Sequence, residues 1–413
     1  GTGRVASGAE LGRLWAVRDY QSRLRIHQPE RDEMVMMNTW GDRGQDTRLN
    51  EAFALAELEA GARLGISHFQ LDDGWQAGRS SNSAYEGGSL DAIWDDPNYW
   101  QPHPDRFPRG LGPVVGRGRE LGIEVCVWFN PSKDGSYAHW ADDARTLIRL
   151  YREQGIRTFK IDGVQVPDKQ AEINLRRLFD AVREATDDQA VFNLDVTAGR
   201  RYGYHYFYEY GNLFLENRYT DWSNYYPHWT LRNLWMLSRY VPAQNLQIEF
   251  LNVWRNAENY ALVDPLAPHS VPFSYAFAIT MMAQPLAWFE GTRLPEAAFD
   301  IAPAIKVYRE HQAAIHAGRI FPIGDEPSGT SWTGFQSLGV GDESGSGYVL
   351  VLREYNDRPR ASMLLYAVAD SCVAFEHILG DGESFQANVP NTGAVAFTLP
   401  DPHTFALYRY TTT

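Results

Sequence analysis

From Met34 onward, short apolar runs alternate with longer stretches in which apolar residues recur every three or four positions. The runs are Met34–Trp40, Ser67–Asp72, Ile123–Asn130, Thr158–Asp162, Ala190–Asp195, Asn212–Glu216, Leu246–Leu251 and Pro285–Phe289. Each has the length of a strand buried on both faces. Between them, Leu49–Leu64 places apolar residues at 53, 55, 58, 62 and 64, and Ala141–Gln154 repeats that helical spacing. Three of these stretches stop on one signature: Leu64-Gly65-Ile66, Leu121-Gly122-Ile123 and Gln154-Gly155-Ile156. A glycine just past a helix admits the left-handed cap, and the isoleucine opens the next buried strand. Eight β-α repeats predict an α/β fold, a (β/α)8 TIM barrel.

The rhythm has edges. Residues 1–33 read as a helix, with Leu11, Leu14, Trp15 and Tyr20 on a broken stripe, followed by a polar linker containing Pro29. The barrel is assigned to 34–318. After it, Phe321–Gly347 is rich in Gly, Pro and Ser. Short runs then follow at Gly347–Arg353, Ser362–Ala367, Ala394–Leu399 and Thr404–Tyr410. Residues 319–413 therefore predict a small antiparallel β-sandwich domain. Phe273–Phe289 is the nearest approach to a membrane span. Ser274, Gln284 and Pro285 interrupt it, so it reads as a buried helix plus a strand.

Composition narrows the function. Apolar residues are 44% and charged residues 22% of 413, an ordinary globular balance. The net charge of −14 repels nucleic acid and anionic membranes, so neither is an expected partner. Cys126 and Cys372 are too few for a disulfide framework or a cysteine zinc site, and Cys126 lies in an apolar run that suits a buried free thiol. The 11 histidines show no metal-ligand spacing, and neither a phosphate-cradling glycine loop nor a Gly-x-Ser-x-Gly elbow is present. No metal or cofactor is expected. The sequence opens at Gly1 rather than Met, so the compartment, cytoplasmic or secreted, stays open.

In a TIM barrel the active site forms at the C-terminal ends of the strands. Here those ends carry Trp40, Asp72-Asp73, Trp128, Lys160 and Asp162, Asp195, Glu216 and Arg218, and Glu290. A purely structural barrel has no need of ionisable groups at so many ends. In Phe159-Lys160-Ile161-Asp162, residues two apart share a strand face, so Lys160 and Asp162 project together. A fixed, ionised carboxylate there suits a glycosidase nucleophile, and it also suits a structural ion pair. Asp72 and Asp73 want hydroxyl or cationic partners, and Trp75 offers an apolar face beside them. The stretch from Glu216 to Trp222 holds two carboxyls, Glu216 and Asp221, around Arg218. It suits a proton donor or a salt-bridged loop ahead of a helix.

These motifs resemble the clan D α-galactosidases, glycoside hydrolase family 36 more than family 27. The resemblance runs through Asn38-Thr39-Trp40, Leu71-Asp72-Asp73-Gly74-Trp75, Phe107-Pro108-Arg109-Gly110-Leu111, Val127-Trp128 and Phe159-Lys160-Ile161-Asp162, and covers roughly residues 34–320. It implies a retaining exo-glycosidase that releases terminal α-galactose-type residues from oligosaccharides or glycoconjugates. It implies Asp162 as nucleophile, and Asp72, Asp73, Lys160, Trp40, Trp128, Asp195 and Arg218 as substrate-binding residues. The acid/base is Asp221 when counted from the arginine, as in family 27, or Glu216 when counted from the strand end, as in family 36; Asp221 is preferred.

The departures are as informative. The family's Glu-Pro-Glu after the third strand is replaced by Phe129-Asn130-Pro131. Its Cys-x-Ser-Gly-Gly loop is replaced by Asp195–Arg201, and its Ser-Asp-Asn-Thr-Asp by the 216–221 stretch. The group tolerated at the sugar 2-position, hydroxyl or acetamido, is therefore open, so an α-N-acetylgalactosaminidase fits as well as an α-galactosidase. The family's large N-terminal β domain does not precede the barrel in these residues. A raffinose-synthase-like transglycosylase and a non-catalytic carbohydrate-binding barrel are the rival readings. A homo-oligomer is left open.

Overall fold

Buried main chain must find hydrogen-bond partners, and eight short apolar runs can find them in one another. In the computed structural model, which describes residues 8–197, 207–214 and 218–412, they become β1 (Met36–Asn38), β2 (His68–Leu71), β3 (Glu124–Phe129), β4 (Thr158–Ile161), β5 (Val191–Asp195), β6 (Gly211–Phe214), β7 (Leu246–Phe250) and β8 (Gln284–Ala287). The strands close in sequence order into a parallel barrel. The register sets Trp128 level with Lys160, and Lys160 level with Asn193. All three Gly stops behave as read. Gly65, Gly122 and Gly155 take φ of 91°, 70° and 75°, and Ile66, Ile123 and Ile156 behind them are buried.

Two local readings are corrected. The polar linker at Pro29 is a helical turn, Pro29–Asp32. Proline is tolerated at the first helical position, and buried Arg31 and Asp32 pair at 2.9 Å. The barrel interior is also less apolar than the runs suggest. Gln70, Asn193 and Asn212 are buried in it, and Asn212 donates to Asn193 at 3.2 Å.

Beyond the barrel, β9 (Arg319–Gly324), β10 (Trp332–Leu338), β11 (Ser346–Arg353), β12 (Arg360–Leu364), β13 (Cys372–Gly380), β14 (Phe385–Asn388), β15 (Ala394–Thr398) and β16 (Thr404–Thr412) follow. Six of them form one sheet in the order β14-β13-β16-β11-β10-β9, and β12 pairs with β15. Val349, Val351 and Tyr408 from the larger sheet share a core with Met363, Val395 and Phe397 from the smaller, which makes a sandwich. Sequence reading missed β9, β10, β13 and β14. Pro322 disguises β9, yet a proline fits an edge strand, where its missing N–H breaks no ladder. A bulge between His377 and Leu379 breaks the alternation of β13. Cys126 and Cys372 are free, and Cys126 is buried.

The chain divides into two compact units. One comprises Glu30–Tyr219 and Leu286–Phe299, and the other Gly1–Pro29, Thr220–Pro285 and Asp300–Thr413. Among the described residues, no helix is long and apolar enough to cross a membrane.

Candidate active site

The first unit gathers the carboxylates at the ends of β2 and β4. Asp72 follows β2 and is buried. Its Oδ2 accepts from Lys160 Nζ at 3.0 Å and from Asn38 Nδ2 at 2.6 Å, while Oδ1 accepts the Asp73 N–H at 2.8 Å. Asn38 is itself fixed, because its Oδ1 accepts the Trp40 N–H at 2.9 Å. The ammonium of Lys160 lies 4.4 Å from the ring centre of Phe214 and 5.3 Å from that of Trp288. A buried cation is tolerable there because a carboxylate and two aromatic faces replace its water.

Asp162 follows β4 and is 9% exposed. Its Oδ2 accepts the indole N–H of Trp128 at 2.9 Å, and its Oδ1 accepts the Gly163 N–H at 2.6 Å. Gly163 has φ 70°, and a Cβ there would fall 2.3 Å from Asn130 Nδ2. Trp128 is fully buried; its own carbonyl accepts the indole N–H of Trp75 at 2.8 Å. Trp75 is also fully buried. This corrects the expectation that its face lies open to a ligand: Trp75 buttresses Trp128, and Trp100 packs on both, with ring centres 6.1 and 5.9 Å away. Sequence reading missed Trp100, which sits in the long β2–β3 connection with no periodicity to place it.

Asp73 is buried beside the other two carboxyls. Gln76 Nε2 donates to it at 2.7 Å, and Ser80 Oγ makes a second, short hydrogen bond. Burial, reinforced by the charges of Asp72 and Asp162, pushes its pKa up to about 7, against the pull of Ser80 and Gln76. Trp40 is half-buried on the turn after β1. Asp195 is buried at the end of β5 and accepts from the N–H and hydroxyl of Thr197. Glu290, after β8, is engaged by Arg48 and Arg293.

In the described residues, comparison with known proteins adds a fold to this geometry. No family model matches the chain. The α-galactosidase of Escherichia coli is 32% identical over 97 residues, 24% of this chain and 12% of that one. The probable α-galactosidase C of Aspergillus terreus is 31% identical over 150 residues, 32% of this chain and 19% of that one. A variant of the family 36 α-galactosidase AgaA of Geobacillus stearothermophilus, solved in complex with raffinose, superposes with a TM-score of 0.71 at 14% identity. That match covers 97% of this chain and 59% of AgaA. The fold is that of the family 36 α-galactosidases. The chain thus spans under two thirds of the AgaA chain, and its matches span a fifth or less of the two curated relatives.

In this family 36 fold, the segment after β6 is divided. Glu216 lies outside the described residues. Arg218 is half-buried, next to Tyr219, whose ring lies 6.1 Å from Trp288 under the guanidinium of Arg43. Asp221 belongs to the second unit. There Arg255 grips both its oxygens, Nη2 reaching Oδ1 at 2.9 Å and Nη1 making a shorter contact to Oδ2. Arg255 Nη1 also donates to Thr220 Oγ1 at 3.2 Å, and Asn259 Nδ2 donates to the Thr220 carbonyl at 3.2 Å. The loop after β7 thereby clamps the 3-10 turn Thr220–Trp222.

Proposed function

We propose that the chain is a glycoside hydrolase that removes terminal α-linked galactose-type residues from oligosaccharides by double displacement, with its catalytic barrel over residues 34–318 and a β domain over 319–413. The supporting observation is Asp162. Its two oxygens accept N–H groups from Trp128 and Gly163, which aims one carboxylate and leaves it suited to attack. Asp162 bonds to the anomeric carbon as the leaving oxygen takes a proton. Water, deprotonated by the same acid/base, then breaks the Asp162 ester and restores the anomeric configuration. Asp72 and Asp73 bind sugar hydroxyls, and Lys160 fixes the position of Asp72 through its 3.0 Å contact.

Asp221 serves as acid/base in this reading, with Glu216 as the alternative. Because Arg255 occupies both Asp221 oxygens, Asp221 must exchange that partner before it carries a proton to the leaving oxygen. The likeness to α-galactosidases, one of them solved with raffinose, supports the sugar and the oligosaccharide class.

The test is release of 4-nitrophenol from α- and β-linked nitrophenyl galactoside, N-acetylgalactosaminide, glucoside and L-arabinopyranoside, with NMR of the first-formed anomer. Turnover of one α-galactosyl-type member with retention is expected, and it decides the 2-position. A β product from an α substrate overturns double displacement. Azide rescue separates the acids: it restores turnover in Asp221→Gly if Asp221 is the acid/base, and in Glu216→Gly if Glu216 is.

A further inference from the structure

A carboxylate that must stay ionised is harder to keep so among other carboxylates, because each favours a proton on its neighbour. Around Asp162, β2 brings Asp72 and Asp73, and the charges of Asp73 and Asp162 act on each other. The next strand, β5, brings Asp195, one residue past the pairing of Ile161 with Leu194. On β4 itself stands Lys160, whose Nζ also serves Asp72 at 3.0 Å. The turn after β3 brings a second ammonium. Its path is pinned from the buried side: Asp143, fully buried, accepts the Ser132 N–H at 3.1 Å and the indole N–H of Trp94 at 2.9 Å. Burial pushes the Asp143 carboxyl up to about 8, so at neutral pH it fixes the turn without placing a full negative charge there. Ser132 Oγ in turn donates to Asp134 at 3.1 Å. From this turn the half-buried Lys133 reaches back to Asn130 and donates to its Oδ1 at 3.2 Å. Both side chains lie against Gly163, where an added Cβ would fall 2.3 Å from Asn130 Nδ2 and 3.0 Å from Lys133 Nζ. Gly163 is the residue whose N–H holds Asp162 Oδ1 at 2.6 Å. The ammonium of Lys133 therefore stands within about 8 Å of that oxygen.

We infer that Lys133 is a positioning residue for Asp162, its ammonium favouring the ionised carboxylate from across the Gly163 turn. Opposite charges at this separation attract, and protonating Asp162 forfeits the attraction. The hydrogen bond to Asn130 holds the ammonium on the Gly163 side, where only a glycine leaves it room. Lys133 follows the stretch in which the family's Glu-Pro-Glu gives way to Phe129-Asn130-Pro131, so the cation goes with this chain's own form of the loop. The inference rests on the reading of Asp162 as nucleophile, and it names the group that sets the charge of that nucleophile.

The indole N–H of Trp128, which Asp162 Oδ2 accepts, reports the protonation of that carboxyl. Its NMR signal, in protein carrying isotope-labelled tryptophan, is assigned by its loss in Trp128→Phe, and the part of its pH titration that disappears in Asp162→Asn belongs to Asp162. Lys133→Gln removes the charge and keeps a donor for Asn130, while Lys133→Arg keeps the charge. The midpoint is expected to rise by about half a pH unit to one unit in Lys133→Gln and to hold in Lys133→Arg. An unchanged midpoint in Lys133→Gln overturns the inference, and so does an equal rise in both variants, which would make the effect one of packing. Thermal melts show that each variant folds, and Lys133→Met replaces Lys133→Gln if that variant does not. The acid limb of kcat/KM for 4-nitrophenyl α-galactoside is expected to move with the midpoint. A midpoint that moves without the limb supports the charge effect and overturns Asp162 as nucleophile. If the wild type cleaves no nitrophenyl glycoside, the catalytic reading fails, and the titration still decides whether Lys133 sets the charge of Asp162.

Discussion

The indole N–H of Trp128, one strand away, donates to Oδ2 of Asp162 at 2.9 Å. Trp128 is fully buried and is held in turn through its carbonyl by Trp75. A residue expected to face the sugar is thus placed to orient a carboxylate. The predicted role is positioning, and Trp128→Phe separates it from packing. A hydrogen bond to a charged group contributes about 1.5–3 kcal/mol. The variant should fold, lose a few degrees of melting temperature and lower kcat about ten- to a hundredfold. Steady-state kinetics with a nitrophenyl galactoside checks this; a normal kcat would remove Trp128 from the mechanism.

Gly163 makes the second contact to Asp162 from a left-handed backbone. Gly163→Ala adds strain of about 1 kcal/mol and sets a methyl against Asn130. The main chain must shift, carrying the carboxylate with it. We expect kcat to fall at least tenfold with little change in KM, measured at saturating substrate.

Asp72 and Lys160 form a buried ion pair. Removing one partner leaves an uncompensated charge, which costs about 3–5 kcal/mol. Lys160→Met alone should therefore lower the melting temperature sharply, and Lys160→Met with Asp72→Asn should recover most of the loss. Activity should stay low in both. Thermal melts of the four members of the cycle give the coupling, and additive losses would show that the pair is not coupled.

Asp73 carries a pH prediction. Its pKa rises from 3.8 in the unfolded chain to about 7 in the fold, chiefly through burial. Between those values the native state binds more protons than the unfolded state, so stability falls as pH rises. Above pH 7 the loss is complete, on the order of 4 kcal/mol. Asp73→Asn cannot ionise. Its melting temperature should rise relative to wild type between pH 4 and 7 and hold steady beyond. A difference independent of pH would mean that Asp73 is ionised throughout.

What the sequence determined by itself was the periodic part of the molecule. Alternating buried runs and amphipathic helices, stopped by Gly65, Gly122 and Gly155, dictate a closed parallel barrel because parallel strands need both faces covered. Strand ends placed Asp72, Asp73, Lys160 and Asp162 in one unit, because a strand fixes where its neighbours point. Tertiary structure decided the partners. Nothing local says that Lys160 reaches Asp72, that Trp128 and Trp75 turn inward to hold Asp162, or that Arg255 grips Asp221 across 34 positions of chain. Such contacts join residues far apart in sequence, and which atoms meet depends on strand register and loop path, which no local periodicity encodes.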